Sequence, residues 1–115
     1  MKKIPFIDKL SQSEVLNLRD EIPVEEEQVT SKTLVQRPDL GITLFSLDTD
    51  EEIGRHASPG DAMVNILSGT AKITIGDETF LVNAGKSIVM PANIPHALKA
   101  VAAFQMILIV VKPEI

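Results

Sequence analysis

A chain of 115 residues has the length of one ordinary domain, and its 44% hydrophobic and 23% charged residues give the balance of a folded globular protein. A formal net charge of -5 disfavours contact with nucleic acid, and the lack of cysteine excludes disulfides, thiolate metal ligands and a cysteine nucleophile. No signal peptide is recognisable and no apolar run approaches the ~20 residues of a membrane span, so we expect a cytoplasmic protein with no membrane contact.

The first predicted element is a short helix in an N-terminal extension. Ser11-Gln12-Ser13-Glu14 has the spacing of a capping box, in which side-chain oxygens satisfy free backbone amides, and the helix is predicted to run through Leu18. Pro23 prevents any further extension, because proline cannot continue a helix. We therefore assign residues 1–28 to this extension and residues 29–115 to the main domain.

Beyond Val29 the apolar pattern changes to a period of two. Short β-rich runs alternate with turn residues, at positions 29–35, 42–47, 62–67, 71–75, 79–82, 88–90, 96–101 and 104–111. That many short strands at close spacing, with almost no helix between them, predict an all-β antiparallel sandwich or barrel.

Two of these strands indicate how the sheet is covered. Ala71, Ile73 and Ile75 alternate with polar residues ahead of a tight Gly76-Asp77 turn, so this strand is predicted to have one dry face and one wet face. Residues 61–68 are apolar on both faces instead. We expect both faces of that strand to be covered, by a second sheet or by a partner subunit.

Histidine occurs only twice, each time beside a strand-breaking segment. His56 precedes Ser58-Pro59-Gly60, and His96 follows Pro95. A histidine beside a proline loop is more often a structural or surface residue than a ligand, although neutral imidazole is also a common metal ligand. The residues around the two histidines change the balance between these interpretations.

The spacing around both histidines resembles the two sequence motifs of the cupin superfamily. The first motif places two histidines and a glutamate between two glycines. The second motif places a glycine, a proline and another glycine before a third histidine, and an asparagine after it. The residues that match in register are His56, Gly69, Gly85, Pro91 and His96. The motif positions that differ hold Asp50, Ser58, Ala62, Asn93 and Ala100.

The resemblance covers about residues 41–111 and implies the cupin fold, which is a single-domain double-stranded β-helix or jelly-roll barrel of two antiparallel sheets. Within the superfamily the chain is similar to short bacterial single-domain cupins that have no settled activity. Because cupins of this size form dimers through their sheets, the resemblance also implies a homodimer.

In metal-binding cupins three imidazoles and one carboxylate converge inside the barrel, a set that suits Fe, Mn, Ni, Cu or Zn. Here the resemblance carries over only His56 and His96, because Ser58 and Ala62 stand where the second histidine and the glutamate belong. Water, substrate oxygens or Asp61 would have to complete the coordination. Strand parity points Asp61 away from the interior, although the preceding Pro-Gly pair could re-aim it.

The same alignment predicts an apolar interior around the two histidines. The predicted ligand-contacting residues are His56, Ser58, Ala62, Val64, Ile73, Met90, His96 and Leu98, with Ile66, Ile75 and Met106 as further lining residues. An apolar cavity with one polar spot is typical of a small-molecule pocket. A barrel filled by its own side chains is the structural alternative.

Three functions follow from this pattern, and no catalytic residue is identified. The apolar lining favours a binding module that holds a small, largely apolar molecule, with His56 and His96 as polar contacts. A metal-dependent enzyme of the oxygenase or isomerase kind is the second hypothesis, since open coordination positions are what a catalytic metal needs. A non-catalytic dimeric regulatory or assembly partner is the third.

Overall fold

The computed structural model describes residues 4–113, and most of these lie in β-strands, which confirms the all-β class. A 3-10 helix, Leu18–Glu21, precedes the sheet. The strands are β1 (Val29–Gln36), β2 (Leu40–Leu47), β3 (Glu52–His56), β4 (Asp61–Ile75), β5 (Glu78–Asn83), β6 (Ser87–Met90) and β7 (His96–Val111). Residues 1–3 of the predicted extension and 114–115 of the predicted main domain lie outside the described residues.

Two long strands, β4 and β7, pair along nearly their whole lengths and form the spine of the fold. In the first layer the C-terminal half of β7 pairs with β2, which pairs with β1, while the N-terminal half of β4 pairs with β6. In the second layer the other halves of the two strands pair with β3 and β5. All pairings are antiparallel, and β1 and β5 end the path of paired strands without joining each other, so the sheet stays open.

The main core lies between the two layers. It is built from the inward-facing residues of both spine strands and of β2, β5 and β6, and its largest fully buried side chains include Phe104, Leu47, Ile66 and Ile73. Full burial of side chains of this size contributes about 1.5–3 kcal/mol each, so this interior is the main source of stability.

The strands differ from the prediction at three places. Residues 62–67 and 71–75 belong to one continuous strand, β4, and residues 96–101 and 104–111 belong to β7. Strand β3 is absent from the predicted set, because Glu52, Gly54 and Arg55 interrupt its apolar pattern. The predicted hairpin is present, since Ile75 and Glu78 pair on either side of the two-residue turn.

A bulged region around Gly69 explains why β4 has the pattern of two strands. The register of β4 against β7 shifts between Ile66 and Ala71, so even-numbered residues face the core before the shift and odd-numbered residues after it. Gly69 has a φ of 78°, and a Cβ at this position would overlap the carbonyl of Ala103 and lie 2.7 Å from the Cα of Phe104. Glycine is therefore required where the spine bends between the layers.

The N-terminal extension contains a short helix, as predicted, but it is the 3-10 helix Leu18–Glu21, and residues 11–17, where the helix is predicted to lie, are not helical. Ser13, inside the expected capping box, has a φ of 59°, which is not a helical conformation. Asn17 caps the helix instead, because its side-chain oxygen accepts a hydrogen bond from the Arg19 amide at 3.1 Å.

The extension lies against the outer face of the first layer and is held there by polar side chains of the sheet. The Gln105 amide nitrogen donates to the carbonyls of Arg19 and Ile22 at 2.7 and 2.8 Å, and its oxygen accepts from Ser68. Ser46 donates to the Pro23 carbonyl at 3.0 Å. Because these donors and acceptors pair with each other away from water, they fix the extension to the sheet.

The coverage predicted for residues 61–68 is present at one end only. Leu67 packs with Leu10, Leu18 and the buried Ile22 in a second apolar cluster beneath the extension. Met63, near the other end, is 40% exposed in the single chain.

Across residues 4–113, no helix has the length and apolar character that crossing a bilayer requires.

The bend at Gly69 leads to a test of the fold. We expect Gly69→Ala to lower the free energy of unfolding by about 3 kcal/mol or more, because the added methyl group overlaps backbone atoms and the φ is strained for alanine. Gly85→Ala is the matched control, since Gly85 has a φ of 85° but no neighbouring atom within 4 Å of the added Cβ. Its expected loss is about 1–2 kcal/mol, from strain alone. Chemical denaturation measures both, and equal losses would contradict the overlap at Ala103.

Candidate functional site

The two histidines are cross-strand neighbours at one end of the barrel. His56 ends β3 and pairs with His96, which begins β7. The register between these strands shifts after Ile53, so that Gly54 and Arg55 together face a single residue of β7. This bulge reverses the parity of β3, and His56 therefore points into the barrel like Ile53, while Arg55 points outward.

The imidazole rings of the pair contact each other through their Nε2 atoms. These atoms lie 3.2 Å apart, and the rings meet at an interplanar angle of 71° with centroids separated by 4.4 Å. His96 is buried, with 3% of its surface exposed, whereas His56 is exposed. The pair thus runs from the mouth of the barrel to its interior.

The other ring nitrogens each lie beside a backbone carbonyl. His56 Nδ1 is 2.8 Å from the Gly54 carbonyl oxygen, and His96 Nδ1 is 3.3 Å from the Ile94 carbonyl oxygen. A carbonyl oxygen only accepts, so an Nδ1 atom that makes this bond donates its hydrogen. Two neutral rings carry two hydrogens for three contacts, so either both Nδ1 atoms donate and the two Nε2 lone pairs repel each other, or one ring donates from its Nε2 to the Nε2 of the other.

The surroundings of His96 favour its neutral form. Burial lowers the pKa of His96 below its ordinary value of 6.5, and the neighbouring His56 lowers it further through charge repulsion. The hydrogen bond to the Ile94 carbonyl acts in the opposite direction and is the smallest of the three causes. At neutral pH the site therefore presents an uncharged imidazole in its interior.

The histidines close one end of a cavity of about 80 Å³ in the barrel. Eight of its eleven lining residues are apolar, and the full set is Phe45, Ile53, His56, Ser58, Ala62, Met90, His96, Leu98, Met106, Leu108 and Val110. Of the predicted ligand-contacting residues, Val64 and Ile73 do not line this cavity, because both are fully buried in the packed core.

Four lining residues were not among those expected: Phe45, Ile53, Leu108 and Val110. The signal for Leu108 and Val110 is present in the sequence, since every second residue of β7 from His96 faces inward, apart from the exposed Ala102 at the bend. Ile53 has no such signal, because the bulge in β3 breaks its parity with His56.

The two strand-breaking segments meet beside the site. The Asn93 amide donates to the Ser58 carbonyl at 2.7 Å, and the Ala92 amide donates to Asp61 Oδ1 at 2.8 Å. The Asp61 carboxylate therefore holds the loop before His96 and does not line the cavity. Ser58 does line it, and its hydroxyl oxygen accepts from the Gly60 amide at 3.1 Å.

The cupin resemblance implies a metal, but the chain supplies only part of the ligand set for one. The 3.2 Å between the two Nε2 atoms suits two imidazoles on one ion with bonds of about 2.1 Å. Among residues 4–113, however, no group of three or more histidine, aspartate or glutamate side chains converges as metal ligands. The residues present do not complete a resident metal site.

Comparisons with known proteins show the family and the fold of the chain. A family model described as "Cupin domain" (Cupin_2) matches residues 43–112. A conserved protein of unknown function from Streptococcus pyogenes is 60% identical, with a TM-score of 0.97 over 99% of this chain and 100% of that one. A cupin superfamily protein from Desulfitobacterium hafniense is 30% identical, with a TM-score of 0.89 over 93% of this chain and 98% of that one.

A further solved structure spans a longer chain. A Cupin 2 conserved barrel domain protein from Leptotrichia buccalis is 40% identical, with a TM-score of 0.82, and the match covers 84% of this chain and 47% of that one. A comparison with functionally curated proteins gave no significant match.

The lowered pKa of His96 makes stability depend on pH. The unfolded chain takes up this proton more readily than the folded chain, so the contribution is fully present above the ordinary value of 6.5 and is lost as the pH falls toward the lowered value in the fold. We expect the free energy of unfolding to decrease between about pH 7.5 and 5.5, and His96→Gln to reduce that slope in denaturation experiments.

The control for this pH dependence is His56→Gln. Since the charge of His56 is one cause of the shift, we expect NMR titration of this variant to place the pKa of His96 higher than in the parent protein. An unchanged slope in the His96→Gln variant would contradict the assignment.

Proposed function

This chain belongs to the Cupin_2 family of cupin domains, and we propose that it binds a small, largely apolar molecule in the barrel, with His56 and His96 as the polar contacts. The observation that carries this proposal is a cavity with an apolar wall and one polar end, where the Nε2 atoms of two imidazoles face the same space. An apolar pocket with a few convergent polar groups is the usual form of a small-molecule site.

The size of the cavity limits the ligand. Its volume of about 80 Å³ is roughly half of the ~150 Å³ that admits benzene in an engineered protein cavity. A ligand that enters without rearrangement therefore has about three to five non-hydrogen atoms.

The acceptor character of the histidines limits the chemistry of the ligand. When both Nδ1 atoms donate to carbonyls, the two Nε2 lone pairs repel each other, and a ligand that donates a hydrogen bond, such as a hydroxyl or an amine, relieves this repulsion. A carboxylate offers only acceptors and would leave both nitrogens unsatisfied. We therefore place small alcohols and amines ahead of organic acids.

A metal-dependent enzyme is the second candidate, and the separation of the two Nε2 atoms is the observation that favours it. His56 and His96 would hold the ion, and a bound ion supplies Lewis-acid or redox chemistry at its open positions. The replacement of the other two motif ligands by Ser58 and Ala62 weighs against a stable site.

We further propose that the protein is a homodimer formed through the outer face of the first layer, which would also suit a regulatory or assembly role. Met63 pairs with Val89 on β6, and Val111 ends the adjacent strand β7. These side chains are 40%, 53% and 56% exposed in the single chain, and a second copy would cover them. A location in the cytoplasm stays a prediction.

A pair of nearly isosteric probes tests the ligand class. We expect isopropanol to shift the NMR signals of Ala62, Met90 and Leu98 with a dissociation constant of about 1 mM or weaker, because so few atoms make contact. Acetone has the same number of non-hydrogen atoms but no donor, so its binding should be weaker. The difference should vanish in the double variant His56→Leu/His96→Leu, which removes both acceptors.

The two probes separate two kinds of failure. Equal binding of acetone and isopropanol would contradict the donor requirement and leave a small-molecule site. Binding of neither probe at the cavity would contradict the small-molecule function itself.

Elemental analysis combined with native mass spectrometry separates the candidates. The binding proposal predicts well under one equivalent of transition metal in the purified protein, and the homodimer proposal predicts the mass of a dimer. Stoichiometric metal that is lost in His96→Ala would support the enzyme instead.

Met63→Lys should return the dimer to monomer, because a lysine in an apolar interface is buried without a partner. Val101→Lys, at a position that is 52% exposed elsewhere on the surface, is the control.

A further inference from the structure

A groove on the outer face of the second layer has a charge unlike the rest of the protein. It has a volume of about 240 Å³ and lies across strands β3, β7 and β4. Three of its lining residues are cations, Arg55, Lys72 and Lys99, and one is an acid, Glu52. The chain as a whole carries a net charge of -5, so this surface concentrates positive charge against the overall balance.

The two lysines of the groove face each other directly. Lys72 on β4 and Lys99 on β7 are register partners, and both side chains lie on the exposed face of the sheet. Like charges in directly opposed positions destabilise a pair of strands. Glu52 on β3 is the other register partner of Lys99. Among residues 4–113 the ion pair found joins Lys32 and Glu21, so Glu52 does not form one with Lys99.

Arg55 reaches the same groove because of the bulge in β3. The bulge that turns His56 into the barrel turns Arg55 outward, and its Nη1 and Nη2 atoms donate to the Gly76 carbonyl at 3.3 and 3.2 Å. This anchor holds the guanidinium in place, and its remaining N–H groups are free to donate to a ligand.

Small residues make the surface between these cations concave. Gly54 has no side chain and no atom within 4 Å of the position that a Cβ would take, and Ala97 lies opposite it. The hydroxyl of Thr74 adds a further hydrogen-bonding group to the lining. Two ammonium groups, one guanidinium and a hydroxyl around a hollow match the charge and donor requirements of a dianionic oxyanion.

We propose that this groove is a binding site for a small dianion, either a phosphate group or a dicarboxylate, separate from the cavity inside the barrel. The site explains the opposition of Lys72 and Lys99, since a bound dianion between them offsets their mutual repulsion. Its small volume suits a single small molecule.

The test is an NMR titration of the full chain with inorganic phosphate at constant ionic strength, with succinate as the second arm. We expect saturable shifts of the backbone amides of Lys72, Thr74, Ala97 and Lys99, and a stronger response to whichever anion the site prefers. The variant Lys72→Gln/Lys99→Gln should bind at least about tenfold more weakly, because both ammonium groups are lost. Its thermal unfolding should occur at or above the parent temperature, because the repulsion is also lost.

Lys86→Gln/Lys112→Gln is the matched control, since it removes the same charge from positions that do not line the groove. Unchanged affinity in this control supports the site. An equal loss in both double variants would show only general attraction of anions and would overturn the proposal, as would the lack of saturable shifts for either anion. Arg55→Gln provides an independent variant, with an expected loss in the same direction.

Discussion

The fold depends on one close backbone contact, between Gly69 on β4 and Ala103 on β7. At this contact the long β4–β7 pair bends from the first layer into the second, and a side chain at Gly69 would occupy the space of the opposing carbonyl. The bulge there also changes which alternate side chains of β4 face inward, from even-numbered to odd-numbered residues, so apolar residues on both sides of the bend face the same core. Without it, one half of β4 would turn its apolar side chains toward solvent.

A second parity change, in β3, has consequences for both candidate sites. Because Gly54 and Arg55 face a single residue of β7, His56 turns inward and meets His96, while Arg55 turns outward to the groove. One bulge thus positions the polar end of the cavity and one wall of the anion groove. Bulges re-aim side chains in this way at the edges of barrels and next to binding sites.

The chemistry of the barrel follows from what surrounds the two histidines. The Gly54 and Ile94 carbonyls lie beside the Nδ1 atoms, burial favours the neutral form of His96, and Ser58 and Ala62 add no strong ligand beside the pair. The site therefore keeps two of the four ligand positions of the cupin metal motif, His56 and His96. Two imidazoles are a short ligand set for a tightly held ion, which is the reason we propose a small neutral ligand.

The sequence by itself determined the all-β class, the hairpin before β5, the cupin membership and the convergence of His56 and His96, because strand periodicity and motif spacing are local properties of the chain. Only the tertiary structure decided that the predicted strand pairs are continuous, that β3 exists, and that Val64 and Ile73 belong to the packed core. These depend on bulges at Gly69 and Gly54–Arg55, where side-chain parity changes without a turn signal in the sequence. The role of Asp61 was decided in the same way, because its partner, the Ala92 amide, lies in a distant loop that only the fold brings near.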